Sequence, residues 1–229
     1  MKVFAVSDLH LPGRQNKPMD VFGGRWVGYV EKLREGLSVI GPEDTTVLLG
    51  DVSWALELEQ AEADFSFMSA IPGRKIILKG NHDYWWSTAA KFNRFCAERG
   101  FADMYVLNNN CFFYGETALC GTRGWFYEED KQGTHDEKVF RRELGRLETS
   151  LKAAGEHEKL CFLHYPPKYH GYECPEILTL LQRYGVRACY YGHLHAESLR
   201  LAFLGRCGEI DFRCVSADYV NFKPEKVMD

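Results

Sequence analysis

Residues 75–86 read KIILKGNHDYWW. The first part, Lys75–Leu78, is a short run rich in branched apolar residues, and a glycine follows it. Such a run, apolar without alternation, is the pattern of a strand buried on both faces, as in the interior of an α/β or layered sheet fold. Asn81, His82 and Asp83 come next in a row, ahead of three aromatics. Polar side chains placed directly after a buried strand stand at the carboxyl edge of a sheet, where open α/β sheets bind their ligands.

The same punctuation recurs four more times. Val3–Val6 leads into Ser7-Asp8-Leu9-His10, and Thr45–Leu49 into Gly50-Asp51. Leu160–Leu163 ends in His164, and Ala188–Tyr191 in Gly192-His193-Leu194-His195. Convergence of the five strand ends would gather the carboxylates of Asp8 and Asp51, the carbonyl oxygen of Asn81 and the imidazoles of His10, His164, His193 and His195, leaving His82 unligated. Oxygen and imidazole donors without thiolate suit manganese, iron or zinc, with cobalt and nickel also compatible. The donors are too many for one ion and suit two ions sharing a carboxylate, ~3.5–4 Å apart. Asp8-x-His10 and His193-x-His195 have the spacing that turns both members of a pair to one side of a strand, or, where the backbone turns at the strand end, lets them serve different ions.

Composition is that of an ordinary soluble globular protein and argues against some other classes. The 229 residues are 45% apolar and 26% charged, enough for a single α/β domain spanning 1–229 with a substantial core. A formal charge of −4 argues against a nucleic-acid coat or a polybasic membrane anchor. The apolar start MKVFAV is too short for a signal-peptide core, and no stretch approaches a membrane span, so a cytoplasmic location without membrane association is expected. None of the eight cysteines forms a C-x-x-C pair. In such a compartment they are expected to be reduced and mostly buried, as small hydrophobes.

Between the strands lie helical patterns. Trp26, Val30, Leu33 and Leu37 share one face, and Ala61, Phe65 and Met68 share another. A third helix runs from a capping box at Thr134 and Glu137 through Val139, Phe140, Leu144, Leu147 and Leu151, with Gly155 placed to end it. Phe112–Tyr114 and Thr117–Leu119 read as a hairpin around Gly115-Glu116, and a second hairpin is expected between Leu199–Leu204 and Ile210–Val215 through Gly205. The Gly- and Pro-rich stretch 11–24 is long for a βα connection and a candidate binding loop. His135 and His157 read as surface residues, and the tail NFKPEKVMD as a solvated end.

The ordered series D-x-H, G-D, G-N-H-D, H and G-H-x-H, from Asp8 to His195, resembles the calcineurin-like metallophosphoesterase superfamily. PMDVFGG, GDVSWAL, KGNHDYWW and GTRGW resemble a bacterial branch of phosphoesterases whose substrate those motifs do not imply. The resemblance implies a four-layer αββα sandwich, two mixed β-sheets flanked by helices, and the strand count suffices for it. It also implies that Asp8, His10 and His195 hold one ion and Asn81, His164 and His193 the other, with Asp51 bridging. One departure stands out: Gly50-Asp51-Val52-Ser53-Trp54-Ala55 lacks the arginine of the phosphoprotein phosphatases, against a Ser/Thr protein phosphatase.

The expected chemistry is hydrolysis of a phosphate ester, a diester or a monoester, with a metal-bridging hydroxide as nucleophile and His82 as general acid. Asp83 is expected to hold the second nitrogen of His82. Tyr84, Trp85 and Trp86 either wall the cleft or pack in the core. Two divalent ions outweigh Asp8 and Asp51, so the pocket attracts anions despite the acidic chain. Arg123 in GTRGW is the best further phosphate donor, followed by Arg14 and Lys17; His170 is a weaker candidate for substrate contact. The substrate expected is a small or medium phosphate ester. Two alternatives use the same constellation: a nuclease, for which no basic run is present, and a metal-binding scaffold without turnover, against which the retained His82 argues.

Overall fold

In the computed structural model, described residues are 1–15, 17, 19–125 and 134–229, the side chains of 134–136 excepted. The chain begins with β1 (Val3–Val6), α1 (Tyr29–Leu37), β2 (Thr45–Leu48), α2 (Glu62–Ser69) and β3 (Arg74–Ile77). α3 (Ala89–Arg99), β4 (Met104–Val106), β5 (Cys111–Tyr114), β6 (Thr117–Thr122) and α4 (Thr134–Ala153) follow. Next come β7 (Glu158–Leu163), β8 (Lys168–Tyr169), β9 (Tyr172–Glu173), α5 (Pro175–Arg183) and β10 (Val186–Tyr191). The last strands are β11 (Gly205–Cys207), β12 (Ile210–Cys214) and β13 (Glu225–Met228).

Two mixed sheets result. One has the order β13-β1-β2-β3-β4 and is parallel except for β13. The other has the order β11-β12-β10-β7-β6-β5, with parallel central strands and an antiparallel hairpin at each edge. The period of two along each strand separates three apolar cores. Val3 and Ala5 of β1, with Val47, Ile76, Leu160, Phe162 and Tyr190, fill the space between the sheets. Phe4 and Val6 point the other way, to Leu33 and Leu37 of α1, Phe65 of α2 and Phe92 of α3. On the far side of the second sheet, Cys120, Cys161, Leu163 and Tyr191 meet Leu147 and Leu151 of α4 and Leu181 of α5. The layers are therefore helix, sheet, sheet, helix, as the resemblance implies.

The sheets join at the ends of β1 and β12. Ser7 N donates to the Val215 carbonyl at 2.9 Å, and Ala217 N to the Ser7 carbonyl at 2.8 Å. This seam brings the carboxyl ends of strands from both sheets to one place, which is what positions the site.

Several local expectations are met: α4 ends at a left-handed Gly155, and the Gly115-Glu116 hairpin is present. Others need correction. Residues 199–204 are not a strand, because a 3₁₀ helix occupies Ala196–Leu201; the hairpin partner of β12 is β11, turning at Gly208-Glu209. The tail is not a solvated end. Glu225–Met228 pairs antiparallel with β1, and Phe222 is buried, giving that edge of the sheet a partner. The Thr134 cap and His135 lie outside the described side chains. His157 is half-buried, its ring against Phe113. Six cysteines are buried, and Cys111, Cys120, Cys161 and Cys189 stand in register across β5, β6, β7 and β10. No helix among the described residues is long and apolar enough to cross a membrane.

Candidate metal centre

The turns after β1, β2 and β10 are tight enough to force unusual backbone. Asp8, His10, Asp51 and His193 all have left-handed φ, between 46° and 69°. Only a few per cent of non-glycine residues adopt it, and such residues gather at functional sites. The turns also cross one another closely. A Cβ on Gly80 would run into Asp51 Oδ1 and its amide nitrogen, and one on Gly192 into Ser7 Oγ and Asp8 Oδ2. Glycine is required at both crossings.

This packing brings the seven sequence-derived donors together. Asp8, Asp51 and His164 each offer an atom within 4.8 Å of the other two. Asp51 Oδ2 is central, 3.9 Å from His10 Nε2 and 3.5 Å from His164 Nε2. His10 Nε2 is also 3.9 Å from Asp8 Oδ1, and the His10 and His195 rings lie 5.3 Å apart. On the other side, Asn81 Oδ1 is 2.6 Å from His164 Nε2 and 3.0 Å from His193 Nδ1.

Hydrogen-bond accounting shows what these atoms lack. His164 Nδ1 faces the Leu49 carbonyl at 2.8 Å; a carbonyl only accepts, so Nδ1 carries the proton. Nε2 therefore presents a lone pair to the Asn81 oxygen, and two lone pairs aimed together fit a cation between them. Burial holds the imidazoles neutral, with His164 down to about 4 and His193 down to about 2. His10, fully buried, is pushed well below its ordinary range by burial and the surrounding histidines. Asp51 is pushed well up by burial, then by Asp83 and Asp8, a cost that cations would remove. Asp8 Oδ1, both ring nitrogens of His10 and Nδ1 of His195 are buried with no hydrogen-bond partner among the described residues. Buried orphans of this kind are rare, and several in one cluster fit a metal pair.

Asp83 sits elsewhere than expected. It is fully buried, and its oxygens accept the amides of Gly80 (2.7 Å), Asp51 (2.8 Å) and Val52 (2.9 Å) and the Trp85 indole N–H (3.0 Å). It ties the β2 and β3 turns together, and among the described residues no hydrogen bond links it to the His82 ring. His82 Nδ1 instead faces the Tyr84 hydroxyl, at 3.4 Å. The aromatic run divides: Tyr84 is exposed beside His82, Trp85 packs on Phe65 and Phe92, and Trp86 packs on Phe92.

His82 is half-buried at the rim, 4.8 Å from the Trp54 ring and 5.8 Å from the His10 ring. Trp54, which the sequence reading did not single out, stacks on His10 at 4.6 Å, and Lys17 Nζ lies over its indole at 4.6 Å. Its signal was the tryptophan three residues after Asp51. The 11–24 loop also reaches the site through Phe22, edge-on to His195 at 5.4 Å. Arg123 lies behind His164: its carbonyl accepts the His164 and Tyr165 amides, and its guanidinium faces Glu143 at 3.5 Å. Arg14 and His170 are exposed and make no described contact with the cluster.

Solved structures of similar fold cover nearly the whole chain at low identity. A phosphopantetheinyl hydrolase from Mycobacterium tuberculosis is 13% identical with a TM-score of 0.61, over 99% of this chain and 95% of that one. A Thermus thermophilus protein is 14% identical with a TM-score of 0.56, over 99% and 97%. A protein of unknown function from Aquifex aeolicus is 16% identical with a TM-score of 0.52, over 98% and 95%. No curated protein sequence matches the chain. The family model for calcineurin-like phosphoesterases matches residues 1–197, which include every donor of the cluster, and the chain belongs to that family.

Proposed function

We propose that the chain is a dinuclear metal-dependent hydrolase of small or medium phosphate esters. One observation carries the reading: Asp8 Oδ1, the His10 nitrogens and His195 Nδ1 are buried and, among the described residues, unpartnered in the same cluster as Asp51, Asn81 and His164. Asp8, His10 and His195 would hold one ion and Asn81, His164 and His193 the other, with Asp51 shared. Manganese, iron or zinc suits these donors. When bound, such a pair supplies Lewis acidity, making water nucleophilic at neutral pH and offsetting phosphoryl charge.

The chain's own residues supply the remainder. His82 stands outside the donor cluster with its ring at the rim, and it donates a proton to the departing oxygen. Burial, His195 and Lys17 hold its pKa below the usual histidine range, which makes its imidazolium a stronger acid towards an alkoxide. Lys17, over Trp54, is the cation for oxygens of the reacting phosphoryl group, and Arg123, behind His164, serves a part of the substrate farther from the metal donors. Trp54 and Trp26 flank His10 and exclude water from that side. Asp83 acts on the metal donors by positioning the Asp51 and Gly80 backbone. A phosphopantetheinyl hydrolase of similar fold lends support to hydrolysis as the reaction class.

The test is a panel of phosphomonoesters and phosphodiesters, with single- and double-stranded DNA, on protein of measured manganese content. Turnover of small esters with two ions per chain is expected. Activity on DNA alone would favour the nuclease, and full metal content without turnover the scaffold.

A further inference from the structure

A second polar cavity adjoins the turns that carry Asn81 and His164. It has a volume of about 210 Å³, and its lining includes Lys79, Arg123, Arg142, Glu143 and Arg146. Lys79 immediately precedes Gly80-Asn81, and the Arg123 carbonyl accepts the His164 amide at 3.1 Å. The cavity therefore shares two of its walls with the candidate metal centre.

Its charge runs against that of the whole chain. Among the described residues, four cationic side chains share the cavity with one carboxylate, although the protein carries −4 overall. That carboxylate, Glu143, is buried and already engaged: it accepts from Thr122 Oγ1 at 3.0 Å and Arg146 Nη1 at 2.6 Å, with Arg123 Nη2 at 3.5 Å. Its geometry orients two guanidinium groups without neutralising the set. The Arg123 guanidinium also lies over the Trp125 ring at 5.2 Å, and its Nε is buried with no hydrogen-bond partner among the described residues. Lys79 is half-buried, and neither it nor Arg142 makes a hydrogen bond or ion pair among the described residues. Lys79 and Arg123 are both partly buried with unmet donors, which costs desolvation that an anion would offset.

We infer that this cavity is a subsite for a second phosphoryl group, so that the preferred substrates are small molecules bearing two phosphates, one at the metal centre and one held by Lys79, Arg123, Arg142 and Arg146. The excess of positive charge favours a phosphate dianion over a carboxylate, and the planar guanidinium forks match phosphate oxygens. The volume lies below the roughly 300–1,000 Å³ of pockets that take a whole ligand, as a subsite for one group requires. The inference rests on the metal centre as the place where the first phosphate is cleaved.

Two measurements on the full chain test it. With manganese bound, kcat/KM for fructose bisphosphate and for adenosine bisphosphate is compared with that for the corresponding monophosphates. A preference of about tenfold to a hundredfold is expected, from one to two charge-assisted contacts. The ratio should fall towards one in Lys79→Gln and Arg142→Gln, the latter an exposed position where folding is not at stake. With metal stripped, inorganic phosphate is titrated calorimetrically, and either substitution should weaken binding about tenfold. A ratio of one in the unmodified chain, or variants that bind and discriminate like it, would overturn the subsite. Phosphate binding that depends on Lys79 and Arg142, without turnover of any ester, would uphold the subsite and sink the hydrolase reading.

Discussion

Asp51 and Asp83 clasp each other's turns: Asp83 Oδ2 accepts the Asp51 amide at 2.8 Å, and Asp51 Oδ1 accepts the His82 amide at 2.7 Å. The central donor of the cluster is thus held by the residue that sequence reasoning assigned to His82. In Asp83→Asn one oxygen becomes an N–H₂ group, opposed to backbone donors that need an acceptor. Metal content and kcat should fall together, by elemental analysis and steady-state kinetics on the same preparation. Full metal occupancy with only a displaced pH–rate profile would instead restore Asp83 as the orienting partner of His82.

His82→Ala and Asp51→Asn should separate proton transfer from metal holding. His82→Ala is expected to keep its metal and lose about 10²–10⁴ in kcat with an alkyl leaving group. The loss should shrink for a nitrophenyl ester, whose phenolate departs without a proton. Asp51→Asn is expected to lose metal as well, because Asp51 Oδ2 is the atom facing both His10 and His164. Equal metal loading of the two variants would refute the donor assignment.

Gly192→Ala tests the crossing of the β10 turn over β1. The added methyl would meet Ser7 Oγ and Asp8 Oδ2, so something must shift. A cost of ~1–3 kcal/mol is expected for such overpacking, together with weaker metal binding. Thermal unfolding should fall by about 2–4 °C per kcal/mol in a chain of this size. An unchanged melting temperature would show that the turn has room which the geometry denies it.

Asp64 gives a pH dependence with a definite sign. Its carboxylate accepts from Ser53 Oγ and the Gly13 amide, and burial raises its pKa from 3.8 to about 6. The folded state then binds that proton more tightly than the unfolded state. Its contribution is fully present below about 3.8 and is lost as pH rises through about 6. His164, lowered to about 4 from 6.5, works in the opposite direction over an overlapping window, gaining as pH rises. Denaturant titrations of the chain and of Asp64→Asn should therefore differ in slope between pH 4 and 6, the unmodified chain falling relative to the variant. Parallel curves would mean that Asp64 is not held as described.

Much of this molecule was legible in one dimension because its signals are local. Five buried strands, each closed by a polar turn, follow from runs such as Val3–Val6, since a strand covered on both faces must be apolar at every position. The seven candidate donors were legible as a cluster for the same reason: a histidine or aspartate directly after a buried strand has few bland explanations when five strands agree. The short pieces were less visible. The first strand of the last hairpin is three residues long, and residues 196–201 form a helix that their leucines did not announce. β13, at the edge, opens on the charged pair Glu225-Lys226, which resembles a solvated tail.

What tertiary structure alone decided concerns direction and company. No spacing in GNHD distinguishes an aspartate that holds the neighbouring imidazole from one that turns inward to four N–H groups; packing of the β2 turn against the β3 turn made that choice. Likewise Lys79, Arg123, Arg142 and Arg146 are scattered through 68 positions of sequence and become one cavity only when α4 docks beside β6. Side-chain type and strand periodicity are properties of neighbours along the chain. Charge balance and unmet hydrogen bonds are properties of neighbours in space.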